Sequence, residues 1–232
     1  MFHRRLFHLI SGPLFISVTM LVSGCLEMEQ KITIREDGSA AVSLSYSIPE
    51  EDYRFFQEMQ DLIQEQQTGT RPETAEERLW MFNEEQARSH FNQSGMSLQS
   101  YEQGTNEQEG RRYASIVFNL DDLRESIQAG HIGNFMLESA DRTEKEDREA
   151  HIFRFRMPAH VQEQQISRPR GEHAETLEKL LEKVEINIVV ETPRPIISAT
   201  GEITNEDIVR WSLSPGEEND YFLRPPEIEV KY

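Results

Sequence analysis

The 232-residue chain has a single cysteine, Cys25, and no Gly-x-Ser-x-Gly elbow or glycine-rich phosphate loop. One thiol cannot close an internal disulfide, so a disulfide-stapled fold is excluded. Cations are scarce: 24 Lys plus Arg stand against 42 Asp plus Glu, a formal net charge of −18. A field of that sign repels phosphate backbones and anionic headgroups alike, which argues against a nucleic-acid partner and against charge-driven membrane adhesion. Heptads, short-period repeats and a long disordered arm are also missing. What is present, 37% hydrophobic and 28% charged residues, supports a core beneath a heavily solvated surface. A length of about 200 residues suits one domain or two small ones.

The first residues are unlike the rest. Arg4 and Arg5 precede an apolar or small-residue run, Leu6 to Val22, and nothing acidic occurs before Glu27. A bilayer span needs about 20 predominantly apolar residues; this run is shorter, is broken by Ser11-Gly12-Pro13 and is followed by acids. It reads as a signal peptide over residues 1–24, exported and cut. Leu21-Val22-Ser23-Gly24-Cys25 resembles the bacterial lipobox, with Val22 where leucine is usual and small residues Ser23 and Gly24 before the cysteine. That resemblance implies cleavage between Gly24 and Cys25, with diacylglycerol on the thiol and an N-acyl chain, palmitate among them. The alternatives are a plain signal peptide with an incidental cysteine, or a lone buried thiol. No separate cofactor is expected. Acyl chains contribute about 0.8 kcal/mol per buried methylene, so two or three anchor stably without a transmembrane helix. In enterobacterial sorting an aspartate after the cysteine favours the inner membrane, so Leu26 favours the outer membrane of a Gram-negative envelope.

Residues 25–232 read as a single extracytoplasmic domain with a helical insertion over about 50–95. Gln30 to Ile34 and Ala40 to Ile48 alternate around Glu36-Asp37-Gly38-Ser39, a hairpin signal. Ser47-Ile48-Pro49-Glu50 opens a helix to about Gln67, and Thr70-Arg71-Pro72-Glu73 a second that carries Leu79, Trp80, Phe82, Ala87 and Phe91 to Gly95. Met96 to Gln103 and Arg112 to Leu120 form a second hairpin, and Asp121 to Ala129 a short capped helix. Asn134 to Ala140 and His151 to Met157 pair across the polar Asp141 to Glu149. Pro158 to His173 is a loop, Ala174 to Lys183 a helix, and Val184 to Glu191 the cleanest strand. Ile196 to Ala199, Asp207 to Ser212 and Glu227 to Tyr232 are short strands.

Cys25 leading straight into the strand-Asp-Gly-strand hairpin, the helical middle, and the late pattern Val184 to Thr192, Pro193, Ile196-Ile197-Ser198-Ala199, Gly201, Val209-Arg210-Trp211-Ser212 together resemble the LppM-type lipoprotein domain. The resemblance covers about two thirds of the mature chain. It implies an α+β fold, a curved, mainly antiparallel sheet with helices packed on one side, and lipid binding or envelope association rather than catalysis. Many relatives carry a C-terminal transmembrane helix, which is absent from Pro226 to Tyr232 here.

Candidate chemistry is sparse. His90, His131, His151, His160 and His173 contain no i, i+4 pair of ligands, so no metal site is expected. Glu50-Glu51-Asp52, Glu76-Glu77 and Glu217-Glu218 lack the alternating EF-hand pattern and read as solvated helix starts and loops. No catalytic residue stands out. Tyr53, Phe56 and Trp211 are candidates for an apolar groove, with core packing the simpler fate of Trp211. The expected role is a lipid-anchored, non-enzymatic binding or scaffold protein of the envelope, held to the membrane and meeting a lipid, an acyl chain or an envelope protein. Its alternatives are a structural protein-interaction module and, behind that, an unrecognised hydrolase.

Overall fold

The structure, a computed structural model, describes residues 26–53, 80–129, 135–140, 150–155, 184–214 and 227–232. Alternation of apolar and polar residues, broken in β1 only at Gln30, makes Leu26–Ile34 (β1) and Ala40–Pro49 (β2) an antiparallel pair, registered Ile34 on Ala40 and Ile32 on Val42. Gly38, at φ 85°, takes the left-handed position that the turn requires. Asp37 Oδ1 accepts from the Ser39 hydroxyl at 2.7 Å and the Ser39 amide at 3.0 Å. Those two donors hold the Asp37 carboxyl below its ordinary range.

Met96–Asn106 (β3) and Arg111–Leu120 (β4) form the second hairpin, and Val184–Glu191 (β7), Glu202–Asn205 (β9) and Ile208–Leu213 (β10) extend the sheet. The seven-stranded order is β3-β4-β2-β1-β7-β10-β9, with β1 in the middle. One row of side chains crosses it in register, Leu98, Phe118, Val42, Ile32, Val190 and Val209. Side chains alternate between faces along a strand, so this row and its neighbours make one apolar face, and Thr33, Ser43, Ser45, Ser47, Ser115 and Asn119 make the other polar.

The apolar face is covered on two fronts. Glu84–Phe91 (α1) is started by Asn83, whose side chain accepts from the Gln86 amide at 3.0 Å, and it buries Ala87 and Phe91. Leu123–Gln128 (α2) is started by Asp122, which accepts from the Glu125 amide at 2.8 Å, and it buries Leu123. Phe135–Ala140 (β5), Ala150–Phe155 (β6), Ser198–Ala199 (β8) and Glu229–Lys231 (β11) form a second sheet in the order β5-β6-β11-β8. Its Phe153, Val230 and Tyr232, with Ile228, join the same buried cluster as Ile32 and Phe118. Burying each such large side chain contributes about 1.5–3 kcal/mol.

The fold is α+β and mostly β, as expected in outline, with differences in detail. The main sheet is mixed, because β7 lies parallel to β1; a second sheet shares the covering of its apolar face with the helices. The helix expected to run through Trp80 and Phe91 is interrupted: Trp80–Phe82 is a 3-10 turn, and Asn83, extended at φ −124° and ψ 111°, begins α1 anew. Strand β9 lies between the segments Ile196 to Ala199 and Asp207 to Ser212, where no strand was expected. The helices expected to about Gln67 and over Ala174 to Lys183, and the loop Pro158 to His173, lie outside the described residues, apart from helical residues 50–53.

Candidate binding surfaces

A groove lies on the polar face of the main sheet near the first residues of β1. Glu27 and Glu29 on β1, Ser45 and Ser47 on β2, and Glu185 and Asn187 on β7 line its volume of about 640 Å³, which Tyr113 and Ser115 of β4 close on one side. Glu27 and Glu185 are directly opposed across β1 and β7, a like-charge pairing that disfavours the sheet unless it is compensated. Arg111 compensates it. Its guanidinium lies 3.0 Å from Glu27 and donates to the Ser47 hydroxyl at 2.7 Å and the Ser47 carbonyl at 3.0 Å. Arg210 reaches across β7 to Glu29 at 3.2 Å, and Asn187 donates to Glu185 at 3.1 Å while accepting from Ser212 at 2.7 Å. Val189, buried on this largely polar face, stands in register between Lys31 and Arg210. The groove thus presents hydroxyls, an amide and carboxylates. These side chains can recognise a partner by hydrogen bonds.

The aromatic candidates are not brought together. Tyr53 meets Phe82 edge-on at 5.5 Å, with the Arg112 guanidinium 4.1 Å over its ring. Arg112 is also bound by both oxygens of Glu50, which with burial opposing holds its pKa above the ordinary value. Trp211 lies beyond β2, β1 and β7, only 6% exposed, within the buried cluster. Phe56 lies outside the described residues, as do Val22, Ser23, Gly24, Cys25, His131, His160, His173, Glu76-Glu77 and Glu217-Glu218. His90 is exposed on α1 against Phe91, and His151 is on β6. Among the described residues no group of three His, Cys, Asp or Glu side chains is placed to hold a metal ion, and no helix is long and apolar enough to cross a membrane.

No family model matches the chain, and no curated protein matches it. Among solved structures it is similar to the folded domain of LppM from Mycobacterium tuberculosis, determined by NMR, over 90% of each chain at 11% identity and a TM-score of 0.40. It is also similar to yeast LTA4 hydrolase in complex with bestatin, at 9% identity and a TM-score of 0.28, covering 28% of that chain. Neither likeness establishes a family or transfers a role.

The groove residues escaped the sequence reading because each is an ordinary surface acid, amide or serine. The alternation Ser43, Ser45, Ser47 opposite an apolar set was the available signal: it marks one face of β2 as hydroxyl-lined. Which strand would stand beside β1 to add Glu185 and Asn187 is not written in either segment.

Proposed function

We propose that the chain is a lipid-anchored protein of the bacterial cell envelope with a non-enzymatic binding or scaffold role. The observation that carries the proposal is the adjacency of two features: the lipobox pattern ends at Cys25, and β1, the middle strand of the main sheet, begins at Leu26. Acyl chains on Cys25 then hold the domain at the membrane with no linker. The strand ends at Pro49, Arg111 and Val184 face the bilayer, and the turn at Asp37-Gly38 points away from it, about 26 Å off at about 3.3 Å per residue. The groove beside Glu27 and Ser47 opens close to that anchor and suits a hydroxyl-bearing or cationic partner. An acyl-chain ligand would need a continuous apolar groove, and Tyr53 and Trp211 stand with three strands between them, so the polar face is the better-supported binding surface.

The test compares the native protein with a Cys25→Ser variant by intact mass and detergent partitioning. The expected native species begins at residue 25, is heavier by acyl groups and enters the detergent phase, whereas the variant stays unprocessed and unacylated. A native chain cut elsewhere and carrying no lipid would overturn the proposal.

A further inference from the structure

The apolar row that crosses the main sheet does not end at Val209. Ile203 of β9 stands directly opposite Val209 and so on the same face, which makes it the last member of the row. Val209 is fully buried, whereas Ile203 is 49% exposed. The other exposed large apolar side chain among the described residues is Ile197, at the entry to β8. Among the described strands β8 is outermost in the second sheet and β9 outermost in the main one, and Thr200-Gly201 joins them. All four residues of β9 are exposed. An outermost strand carries a row of N–H and C=O groups on its open side, a template for a further strand.

This edge is held in a fixed conformation. The Thr200 hydroxyl donates to the Glu227 carbonyl at 2.7 Å and accepts from the Trp211 indole at 3.1 Å and the Glu229 amide at 3.0 Å. A strand already ordered costs a partner little to pair with. Lysine and proline are common guards of sheet edges, and Ile196 to Val209 contains neither. That stretch holds the acids Glu202, Glu206 and Asp207 and no cation. Glu202 is in register with Arg210, on the polar face, one residue from Ile203 on the apolar face. The strand is short and its pairing with β10 shifts register between Ile208 and Val209, which makes it a poor template for open-ended stacking of copies.

We propose that β9 docks an extended, basic segment of another protein, which joins the main sheet as an outer strand with an apolar side chain beside Ile203 and a cationic one beside Glu202. Main-chain hydrogen bonds supply the pairing, and the alternation of faces along a strand supplies the selection. The apolar side chain covers Ile203, and the cation meets its opposite charge across the strands. A net charge of −18 steers a basic segment toward the molecule and repels a second copy. Two further arguments rest on the anchoring reading. Antiparallel joining of β9 to β9 reverses one copy, so the two Cys25 ends would point in opposite directions and could not share a membrane. The bilayer is out of reach as well: Ile203 is level with Val209, Val190 and Ile32, and Ile32 stands about 20 Å along β1 from Leu26 at about 3.3 Å per residue.

The probe is a short, labelled peptide of alternating lysine and valine, acetylated and amidated, titrated with the full chain and followed by fluorescence anisotropy. The expected result is saturable binding, with slower amide exchange over residues 202–205 in the complex. Affinity should fall at least tenfold in Ile203→Lys and in Glu202→Lys, and equally for the same peptide with alternate backbone nitrogens methylated. Glu102→Lys makes the same charge change on β3, at the other edge of the sheet, and should bind as the parent does. Thermal melts establish that each variant is folded. Absence of saturable binding, or equal affinity in the β9 variants or for the methylated peptide, would overturn the proposal. So would a concentration-dependent dimer in sedimentation that Ile203→Lys disperses, because the occupant would then be a second copy. None of these readouts involves the lipid on Cys25, so failure here is distinguishable from failure of the anchor.

Discussion

A Cβ on Gly201 would stand 2.6 Å from the indole Cε2 of Trp211 and 2.6 Å from the carbonyl oxygen of Arg210. Gly201 links β8 of one sheet to β9 of the other, and the indole beneath it donates to the Thr200 hydroxyl at 3.1 Å, which in turn accepts from the Glu229 amide at 3.0 Å. Because the obstructing atoms include backbone, the neighbourhood cannot yield by a rotamer change. Gly201→Ala is expected to cost about 1–3 kcal/mol as overpacking. Urea unfolding followed by tryptophan fluorescence measures it, and a midpoint equal to the parent's would refute the close approach.

Phe91 of α1 stacks on Phe118 of β4 with ring centroids 4.3 Å apart and planes 24° apart, both side chains buried. Phe118 also lies in the row that crosses the main sheet, so its removal empties space on both sides. Phe118→Ala is expected to cost about 3–5 kcal/mol. A double-mutant cycle with Phe91→Ala should return a coupling of about 0.5–1.5 kcal/mol for the aromatic pair. Additive effects in that cycle would mean that α1 does not dock there.

Arg111, whose side chain is only 12% exposed, separates the opposed Glu27 and Glu185 from the cost of their like charge. Arg111→Gln should therefore destabilise by roughly 1–2 kcal/mol, less than a fully buried pair because Glu27 is open to solvent. Adding Glu27→Gln should restore part of the loss. If the second change instead deepens the loss, Arg111 acts through packing alone and the electrostatic account fails.

Tyr46, on the apolar face of β2, has its phenol pushed up to about 12 by burial. Burial favours the neutral ring, so the folded value lies above the unfolded one of 10.0. Its stabilising contribution is complete below pH 10 and is lost as pH climbs from about 10 through about 12. Tyr46→Phe should flatten the stability loss across that window while leaving neutral-pH stability nearly unchanged. Denaturation midpoints collected through the alkaline range decide it, and a variant with the parent's slope would place the loss on Tyr101 and Tyr232, which are raised to about 12 as well.

Much of the local structure was written in short-range pattern. Alternation and an Asp-Gly turn are enough to specify β1 and β2, because a tight hairpin with one apolar face has a single sensible register. The caps at Asp122 and Asn83 depend on one side chain and the amide three residues on. Asn83 was overlooked because the apolar spacing of Trp80, Phe82, Ala87 and Phe91 runs through it, and a cap inside a continuous periodicity leaves little trace in that periodicity.

The sequence by itself determined the hairpins, the net acidity and the alternation along the strands, since all are set by composition or by neighbours a few residues apart. Only the tertiary structure decided that β7 lies parallel beside β1, some 150 residues away, and that β6 and β11 join in a second sheet. Pairing of distant strands depends on which apolar faces can be buried together, a property of the assembled core rather than of any segment. For the same reason Glu27 and Glu185 became neighbours only when the chain closed around that core.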